Sequence, residues 1–477
     1  MNKLQQIIDQ SKDLTKIAIV DSTRKITFGD LDHLINGIAN GLKSQGIGYL
    51  DRVGILASNS IEFVATYFGI VKIGASAVFL NTQLPQEKLE YIIAESNAKI
   101  IFTDTDTDLT HFPIQIVHFE NIKSFVKDGD CVPYNNNNND PATIVYTSGS
   151  TGNPKGIITS HKSHTWMIKT RIRDLHEGQK FIIATPCYHI GGLLNLEGAI
   201  AAHTELVLLP KFNAKEYVAQ IKNSKVEIVT GTPAMLMSIF NNADLLTNSD
   251  FSSATQVRLA SAPFTPSLVE NIKKYIPNAK ITNIYGLTEC GGKIFDHVDG
   301  QVTPDLSVGY PVKDVTAKLV DNVLYVRSPA IALGYTNTNA VPTEDGFFNT
   351  KDLFRVDENG YYYYLGRSDD MFKSGGNTVY PRELEMAIET HTDVLSSAAV
   401  GVEDEIKGFK PYAFVIVKSG STITEKMLKD YAFSKLPYSI CPRHIWILDK
   451  MPLNSVNKID KKELISEVIK RRQLNPG

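Results

Sequence analysis

The stretch YTSGSTGNPKGI, which runs from Tyr146 to Ile157, follows the apolar run TIV and holds three glycines, four serine or threonine hydroxyls and one lysine. Glycines allow backbone N–H groups to turn toward an anion, hydroxyls add donors, and Lys155 adds a positive charge. The stretch is therefore a candidate phosphate-binding loop, with a flexible surface loop as the alternative. It differs from the Walker pattern, because Lys155 is followed by Gly156 and not by serine or threonine.

The size and composition of the chain indicate a globular protein of more than one domain. The chain has 477 residues, of which 43% are hydrophobic and 21% charged, and its formal net charge is −3. This length exceeds the roughly 250–300 residues at which a single core stops growing. The small net charge favours neither nucleic acid nor an anionic membrane as a partner. No apolar stretch reaches the roughly 20 residues that span a bilayer, so we predict no membrane span.

The cysteines indicate a reducing compartment. They lie far apart and show no CxxC spacing, at Cys131, Cys187, Cys290 and Cys441. This pattern fits neither a disulfide framework nor a zinc site. We therefore predict a cytoplasmic protein with reduced thiols.

Strand and helix patterns alternate along most of the chain. Short β-branched runs such as RVGIL (52–56) and VEIVT (226–230) are apolar on both faces, as buried parallel strands are. Between such runs lie segments of helical spacing, such as FGDLDHLINGIANGLKSQ (28–45). We predict an α/β fold with a large N-terminal domain, residues 1–367, of layered and largely parallel sheets with helices. The remainder, 368–477, reads as a small α+β domain.

Two further motifs could complete a nucleotide site. In NIYGLTECGG, from Asn283 to Gly292, Tyr285 could stack on a base and Glu289 could bind a Mg²⁺ that bridges phosphates. In the segment 347–370, Asp352 and Arg367 flank a hairpin predicted from the turn DENG. Both side chains could bind ribose hydroxyls. A structural turn and a salt-bridged hairpin are the respective alternatives.

Two later motifs add glycines and a lysine. The motif KSGGNTVYPRELE, 373–385, places a glycine pair before a helix that is predicted to begin near Pro381. The motif PLNSVNKIDKKEL, 452–464, places Lys458 in a turn before a terminal helix. Taken alone, a lysine at such a position is usually solvated.

In this order and spacing, the motifs resemble those of the adenylate-forming superfamily over nearly the whole chain. That superfamily contains acyl-CoA and aryl-CoA synthetases, the adenylation domains of peptide synthetases, and luciferases. The resemblance implies ATP, Mg²⁺ and CoA as cosubstrates and cofactors, and a small carboxylic acid as substrate. It also implies that the C-terminal domain is mobile.

The resemblance assigns roles to individual residues. The implied ATP-binding residues are Thr147, Ser148, Gly149, Ser150, Thr151, Lys155, Asn283, Tyr285, Gly286, Asp352 and Arg367. The implied catalytic residues are Lys458, Thr288, Glu289 and His189, with Glu289 as the metal ligand. The implied acyl pocket consists of His189, Ser261, Ala262, Pro263 and Gly286. Lys211, Gly375 and Gly376 are implied to bind CoA, and Asp369 is the implied hinge.

The chain departs from the superfamily pattern at a few positions. A lysine, Lys351, stands between Thr350 and Asp352 where the pattern has glycine, and Asn457 replaces the glycine before the last lysine. These changes keep the aspartate and the lysine themselves. The segment 260–262 reads Ala-Ser-Ala in place of Gly-Gly-Ala, which alters the predicted acyl pocket.

The segment YHIGGL, 188–193, resembles acyl- and aryl-CoA ligases, because it lacks the carboxylate that peptide-synthetase domains use to bind an amine. We therefore predict an ATP-dependent carboxylic acid–CoA ligase that acts through an acyl-adenylate. An acyl-AMP ligase that loads the phosphopantetheine of a carrier protein stays open as an alternative. So does an o-succinylbenzoate-CoA ligase, which the segment SVNK (455–458) resembles. A luciferase-type reaction and a catalytically silent binding module are disfavoured. The acid is left open, and the protein could be a monomer or a homodimer.

Overall fold

The computed structural model describes residues 4–147, 154–297, 303–338, 341, 343–453 and 459–474. The α-helices in this part of the chain are, in order, α1 Phe28–Ser44, α2 Ile61–Lys72, α3 Gln86–Ser96, α4 Ile122–Phe125, α5 His161–Arg171, α6 Ile190–Ala201, α7 Ala214–Ser224, α8 Pro233–Phe240, α9 Ala243–Thr247, α10 Pro266–Tyr275, α11 Pro381–Glu389, α12 Glu425–Lys435 and α13 Lys461–Leu474.

The strands in the same residues fall into five sheets. In chain order they are β1 Ile17–Val20, β2 Lys25–Thr27, β3 Arg52–Leu56, β4 Ser76–Phe79, β5 Ile100–Thr103, β6 Gln115–His118, β7 Pro141–Thr147, β8 Lys155–Ser160, β9 Lys180–Ile183, β10 Glu205–Leu208, β11 Ile228–Gly231, β12 Gln256–Ala260, β13 Lys280–Ile284, β14 Phe295–Asp296, β15 Tyr310–Pro311, β16 Thr316–Val320, β17 Val323–Arg327, β18 Gly334–Tyr335, β19 Thr343–Glu344, β20 Phe347–Val356, β21 Tyr362–Arg367, β22 Phe372–Ser374, β23 Asn377–Val379, β24 Val394–Asp404, β25 Gly408–Val417 and β26 Ile445–Ile447.

Two seven-stranded sheets, mostly parallel, form the larger part of the molecule. The first has the order β13-β12-β11-β9-β10-β1-β2, and only its β1–β2 pair is antiparallel. The second has the order β18-β8-β7-β4-β3-β5-β6, and its antiparallel pairs, β7–β8 and β8–β18, lie at one edge. The predicted α/β class with largely parallel sheets is confirmed.

The helices between the two large sheets share one hydrophobic core. This core joins Ile19 and Phe181 of the first sheet to Val53 and Phe79 of the second. Helices α1 and α6 contact strands of the first sheet, α2 and α5 contact strands of the second, and the helices pack against each other in between. Helix α2 is buried at every position except Glu62, as expected for a helix with protein on all sides. The result is a layered sheet–helix–sheet arrangement.

Three smaller sheets complete the fold. Strands β16-β17-β20-β19, with β21 paired to β20, form an antiparallel sheet, and β14 pairs with β15. Strands β23-β22-β25-β24, with β26 beside β25, form a sheet that contains only residues after Arg367. Helices α11 and α13 pack on β24 of this last sheet. The small α+β C-terminal unit predicted from the sequence is therefore present.

Helix α1 shows how a local signal in the sequence sets an element boundary. It begins after Thr27, whose hydroxyl accepts a hydrogen bond from the backbone N–H of Asp30. The Asp30 carboxylate accepts one in return from the Thr27 backbone N–H at 2.9 Å, which completes a capping box. Leu31, Ile35 and Ile38 then follow at helical spacing and are buried.

All four cysteines are buried free thiols, at Cys131, Cys187, Cys290 and Cys441. Across the described residues, no helix combines the length and the apolar character needed to cross a membrane.

Candidate active site

The hairpin of β7 and β8 fixes both ends of the candidate phosphate loop. Thr147 and Lys155 are direct partners in its antiparallel register, so the chain leaves one strand and returns on its neighbour. Ser148, Gly149, Ser150 and Thr151 lie outside the described residues. The Lys155 ammonium is 5.8 Å from the centroid of the Tyr335 ring, on the adjacent strand β18. A cation therefore stands at one end of the loop.

A buried polar network lies beneath this hairpin. His164 Nε2 is 2.8 Å from the hydroxyl of Thr143 and 2.9 Å from that of Thr159, which are partners across the two strands. His164 Nδ1 is 2.8 Å from the Glu197 carboxylate, to which Tyr67 also donates. The network ties the loop-bearing hairpin to α2, α5 and α6. Sequence analysis missed it, because its members are far apart in the chain and form no motif.

A cavity of about 240 Å³ brings most of the other candidate nucleotide residues together. The predicted residues among its lining lie in three segments: the loop after β12, the end of β13 with the turn after it, and the β20–β21 hairpin. The predicted residues that line it are Ser261, Ala262, Pro263, Asn283, Tyr285, Gly286, Asp352 and Arg367. The segment 261–263, predicted for the acyl pocket, therefore lines the same cavity as the residues predicted to bind ATP.

Tyr285, Asp352 and Arg367 form one hydrogen-bonded unit in this cavity. The Tyr285 hydroxyl donates to Asp352 Oδ2 at 2.5 Å, and Arg367 Nη1 donates to Asp352 Oδ1 at 3.1 Å. Asp352 and Arg367 are direct partners in the β20–β21 register. Burial, together with the charge of Asp352, raises the pKa of Tyr285 well above its ordinary value. The hydroxyl therefore stays protonated and remains a donor.

Arg367 also binds Asp369, the residue predicted to be the hinge. Arg367 Nε and Nη2 donate to the two carboxylate oxygens of Asp369 at 2.8 and 2.9 Å. This bidentate bond, aided by Asp352, raises the pKa of the guanidinium above its ordinary value despite partial burial. One arginine thus joins the candidate ribose carboxylate to the segment that leads into the C-terminal unit.

The turn after β13 is too tight for a side chain at Gly286. A Cβ built on Gly286 would lie 2.4 Å from the carbonyl oxygen of Gly291. The close approach arises because Leu287 and Gly291 exchange backbone hydrogen bonds. Thr288 and Glu289 lie inside the turn, and the Glu289 carbonyl accepts a hydrogen bond from the Ala332 N–H at 2.8 Å. The glycine is therefore required by the turn itself.

The Glu289 carboxylate is a candidate metal ligand, because it is largely buried beside cationic side chains. Burial raises its pKa, while its own backbone N–H, Arg367 and Lys155 oppose the shift. Within the described residues its oxygens accept no hydrogen bond from another side chain, so they can coordinate a hard cation. No group of three or more His, Cys, Asp or Glu in that part of the chain could hold a metal ion. A Mg²⁺ here would therefore take most of its ligands from phosphates and water.

His189 lies at the start of α6, beside the cavity wall. It occupies the N-cap position, and its ring packs edge-on against Tyr188 with centroids 4.7 Å apart. A Cβ built on Gly191 would lie 3.8 Å from Ser261 Oγ, so the start of α6 faces the loop after β12. Ser261 has a φ of +76°, a conformation that favours glycine. Serine in place of the glycine of the superfamily pattern therefore strains the backbone at residue 261.

Gly375 and Gly376 form the two-residue turn between β22 and β23. Their φ angles are +56° and +84°, and Ser374 and Asn377 pair across the turn, as in a type I′ hairpin. No atom lies within 4 Å of a Cβ built on Gly376, so the space beside it is open. The turn conformation therefore accounts for both glycines, which are also the residues predicted to bind CoA.

The structure does not place the predicted CoA contact Lys211 on this cavity. Lys211 is exposed after β10, and no hydrogen bond or ion pair between described residues involves it. Lys458 lies outside the described residues.

Arg382 lines the cavity but was not predicted from the sequence. Its Nη2 donates to the Phe264 carbonyl at 3.3 Å, which joins α11 to the loop after β12. It also pairs with Glu385 at 3.3 Å and Glu389 at 2.9 Å. The spacing i, i+3, i+7 places the three charges on one helix face and could have indicated this cluster. The partner Phe264, 118 residues away, could not have been inferred.

Comparison with known proteins assigns the family. The family model described as AMP-binding enzyme matches residues 8–336, and that described as AMP-binding enzyme C-terminal domain matches residues 383–458. This chain belongs to the AMP-binding enzyme family. The predicted membership of the adenylate-forming superfamily is thereby confirmed.

Relatives of this AMP-binding enzyme match over nearly its whole length. A 2-succinylbenzoate–CoA ligase of Bacillus licheniformis is 28% identical over 97% of this chain and 99% of its own. One of Bacillus cytotoxicus is 29% identical over 94% of this chain and 95% of its own. An anthranilate CoA ligase in complex with anthranoyl-AMP has a TM-score of 0.89 at 26% identity, covering 98% of this chain and 97% of its own. ATP-bound MatB from Rhodopseudomonas palustris, 24% identical over 98% of each chain, shares the fold with a TM-score of 0.88.

Proposed function

We propose that this AMP-binding enzyme is an ATP-dependent carboxylic acid–CoA ligase. The observation that carries the proposal is the Tyr285–Asp352–Arg367 unit, which lines a cavity at the end of β13. The predicted class, an acid–thiol ligase that uses ATP, Mg²⁺ and CoA, is confirmed by the family and by relatives named as CoA ligases.

In the proposed complex, adenosine occupies this cavity. The Tyr285 ring, held edge-on by Phe354 with centroids 4.8 Å apart, offers a flat surface to the adenine. Asp352 lines the same cavity, and its carboxylate is the proposed acceptor of the ribose hydroxyl protons. Asn283 and Gly286 line the same wall. The assignment of these residues to ATP rests on this grouping.

The phosphates are proposed to lie beside the β7–β8 hairpin. Lys155 supplies positive charge at the end of the loop, whose other predicted members are Thr147, Ser148, Gly149, Ser150 and Thr151. Glu289, with Thr288 beside it, is the proposed ligand for Mg²⁺, which would neutralise part of the phosphate charge.

The reaction has two steps. A carboxylate oxygen of the acid attacks the α-phosphorus of ATP, and the bond to pyrophosphate breaks. The CoA thiol then attacks the acyl carbon, loses its proton and releases AMP. The carboxylate is already a nucleophile, so the protein must mainly position two anions and stabilise their combined charge. Lys155 and Lys458 are the proposed cations for this task.

The second step is proposed to use the C-terminal unit. Residues 1–367 and 368–477 form the two proposed domains, with Asp369 as the hinge and Gly375, Gly376 and Lys211 as CoA contacts. The Arg367–Asp369 bond lies at this boundary and supports the hinge assignment. Free CoA is the proposed acceptor, with a carrier-protein phosphopantetheine as the alternative. We also propose a cytoplasmic location, supported by the buried free cysteines.

The names of the relatives indicate 2-succinylbenzoate as the candidate acid substrate. The named 2-succinylbenzoate–CoA ligases match at 28% and 29% identity over at least 94% of this chain. His189 and the segment 261–263 lie where the acid would meet the nucleotide cavity. Because residues 260 and 261 differ from the superfamily pattern, the test below also includes other aryl and aliphatic acids.

The proposal is tested by incubating the purified protein with ATP, Mg²⁺ and a panel of carboxylic acids. Pyrophosphate release that depends on an acid is expected, followed by a thioester detectable by mass spectrometry when CoA is present. Parallel reactions with a phosphopantetheinylated carrier protein distinguish the two acceptors. Absence of acid-dependent pyrophosphate release across aryl and aliphatic acids would contradict the ligase assignment.

Asp352→Asn tests the role of the buried carboxylate. The substitution keeps the size but removes the charge that holds Arg367 and the ribose hydroxyls. We expect a higher KM for ATP and a free energy of unfolding lower by roughly 1–3 kcal/mol, because a buried charged hydrogen-bond partner is lost. Glu344→Gln, an exposed carboxylate in the same sheet, is the control and should change neither value. An unchanged KM for ATP would show that Asp352 does not contribute to ATP binding.

Gly376→Asn tests the proposed CoA path. Asparagine tolerates a positive φ better than other side chains, and the open space at Gly376 admits it, so the protein should fold. We expect adenylate formation to persist and thioester formation from a supplied acyl-adenylate to fall. Gly420→Asn is a matched control, with a φ of +78° and open space of its own. If both variants behave alike, the hairpin does not border the thiol path.

A further inference from the structure

The hairpin of β7 and β8 has an irregular step well before its tip. Pro141 pairs with Ser160 and Thr143 pairs with Thr159, so β7 contains one extra residue between these two pairs. Such a bulge interrupts the ladder of backbone hydrogen bonds and bends the strand. From Thr143 onward the register is regular to the end of the hairpin. The direction in which the hairpin leaves the bulge is therefore set at the Thr143–Thr159 pair.

A group of polar side chains, the His164 clamp, holds this first regular pair. The hydroxyl oxygens of Thr143 and Thr159 are 2.6 Å apart, and His164 Nε2 lies 2.8 Å from the first and 2.9 Å from the second. The three atoms form a closed triangle. One side chain of α5 therefore holds both strands of the hairpin at once.

The other side of the imidazole ring is held as well. His164 Nδ1 lies 2.8 Å from Glu197 Oε1, which also accepts a hydrogen bond from the Tyr67 hydroxyl. The charge of Arg171 acts on Glu197 from nearby. A lone pair on Nδ1 would be repelled by the carboxylate at this distance, so Nδ1 carries a hydrogen and Nε2 faces the threonines. The ring orientation is thus fixed from both ends.

The clamp lies in the interior of the protein. Its five side chains, Tyr67, Thr143, Thr159, His164 and Glu197, are all 0% exposed. Polar groups at this depth lose their hydration, and they contribute less to stability than apolar groups of the same shape would. Hydrogen bonds are directional, however, and a buried network of them specifies one arrangement. The clamp is therefore better suited to fixing the geometry of the hairpin than to increasing its stability.

The clamp acts on the face of the hairpin that carries the candidate phosphate-binding residues. Because side chains alternate between the two faces of a strand, Thr143 and Thr147 share one face of β7, and Thr159 and Lys155 share the matching face of β8. Strand β4 pairs with β7 only as far as Val145, so the tip of the hairpin extends beyond it. Hydrogen bonds to β4 lie in the plane of the sheet, whereas His164 contacts the hairpin from α5. The clamp therefore limits tilt out of that plane.

The length of the hairpin beyond the clamp makes its angle important. Thr147 lies four residues after Thr143, which is about 13 Å in an extended strand. A tilt of about 5° at Thr143 would therefore move Thr147 by about 1 Å. A misplacement of about 1 Å can lower the rate of an enzymatic step by about 10²-fold.

We propose that His164 is a positioning residue for adenylate formation, because it sets, through Thr143 and Thr159, the angle at which the hairpin presents Lys155 to the phosphates of ATP. The proposal rests on the function proposed above and adds a residue that contacts neither substrate nor reacting atoms. An acyl-adenylate lacks the β- and γ-phosphates. The second half-reaction should therefore depend much less on the clamp.

Three substitutions test the clamp. Thr159→Val keeps the branched shape and removes the hydroxyl, Thr159→Ser keeps the hydroxyl, and the amide of His164→Asn is too short to reach the threonines. We expect Thr159→Val and His164→Asn to lower kcat/KM for ATP by roughly 10- to 100-fold, and Thr159→Ser to stay near the parent value. The readout is pyrophosphate release with 2-succinylbenzoate, or with the most active acid of the panel above. Thioester formation from the synthetic adenylate of that acid should change little in all three.

His161→Asn is the matched control, since His161 is also a buried histidine of α5. Its Nε2 lies 2.6 Å from Asn136 Nδ2, so this substitution too disrupts a buried polar contact, but one outside the clamp. We expect it to lower the melting temperature and to leave kcat/KM for ATP near the parent value. All rates are measured well below the lowest melting temperature in the set.

Several results would overturn the proposal. A loss of kcat/KM that follows the melting temperature in every variant, His161→Asn included, would show that the clamp only stabilises the fold. Parent activity in Thr159→Val, or equal loss in Thr159→Ser, would exclude a role for the hydroxyl. Equal loss in both half-reactions would exclude a role confined to the first. Failure of the wild-type protein to release pyrophosphate with any acid would instead contradict the proposed ligase function.

Discussion

Replacing Lys458 with alanine is expected to slow adenylate formation by about 10²–10³-fold, the usual effect of removing one preorganised charge contact from a transition state. Lys458 is about three hundred positions from the phosphate loop in the chain, and in the proposed mechanism it acts when the C-terminal unit closes on the nucleotide. Its charge is needed while carboxylate and phosphate approach each other. With a supplied acyl-adenylate and CoA, the variant should therefore form thioester at close to the parent rate.

The two half-reactions are measured separately, by pyrophosphate release from ATP and by thioester formation from the synthetic adenylate. Lys462→Ala, an exposed lysine in the first turn of α13, is the matched control and should be unaffected in both. Normal ATP-driven turnover by Lys458→Ala would remove this lysine from the mechanism. Equal loss in both half-reactions would contradict a role confined to the first.

Lys155→Ala is expected to reduce pyrophosphate release by about 10²-fold with little change in stability. The side chain is only partly buried, and its contact with the Tyr335 ring, at 5.8 Å, contributes roughly 0.5–1 kcal/mol. The substitution should therefore act mainly by removing the positive charge that Lys155 supplies to the phosphates beside Glu289. The measurements are kcat/KM for ATP and the melting temperature.

Lys162→Ala provides the comparison for Lys155, because Lys162 is an exposed lysine just beyond the same hairpin. It should retain the parent rate. A Lys155→Ala protein that unfolds at the assay temperature would favour a structural role for the residue. A folded variant with the parent rate would show that the loop does not use this cation.

Much of the fold could be predicted from the sequence, because buried parallel strands and amphipathic helices leave strong local patterns. RVGIL, for example, is β3, and the last three residues of VEIVT lie in β11. The hairpin that joins Asp352 to Arg367 could also be anticipated, since the turn DENG fixes its place. The antiparallel sheet around β20 could not, because its strand β19 has only two residues, both exposed, and β16 is exposed at every second position.

Which of the site residues share one cavity was harder to predict than the residues themselves. The resemblance assigned 261–263 to the acyl pocket, and the structure adds that this segment lines the same cavity as Tyr285 and Arg367. Contacts of this kind depend on how β12, β13 and β21 end in space, which no local pattern encodes. Arg382 was missed for the same reason, since its partner Phe264 is 118 residues away in the chain.

The shared position of Arg367 has a thermodynamic consequence. One guanidinium binds both Asp352, in the nucleotide cavity, and Asp369, at the proposed hinge. If ribose binding alters the strength of the Arg367–Asp369 bond, the orientation of the C-terminal unit must alter the affinity for nucleotide by the same factor, because coupling between two equilibria is reciprocal. Nucleotide affinity would then report on domain orientation, and a substitution at Asp369 would change the dissociation constant of ATP without contacting ATP.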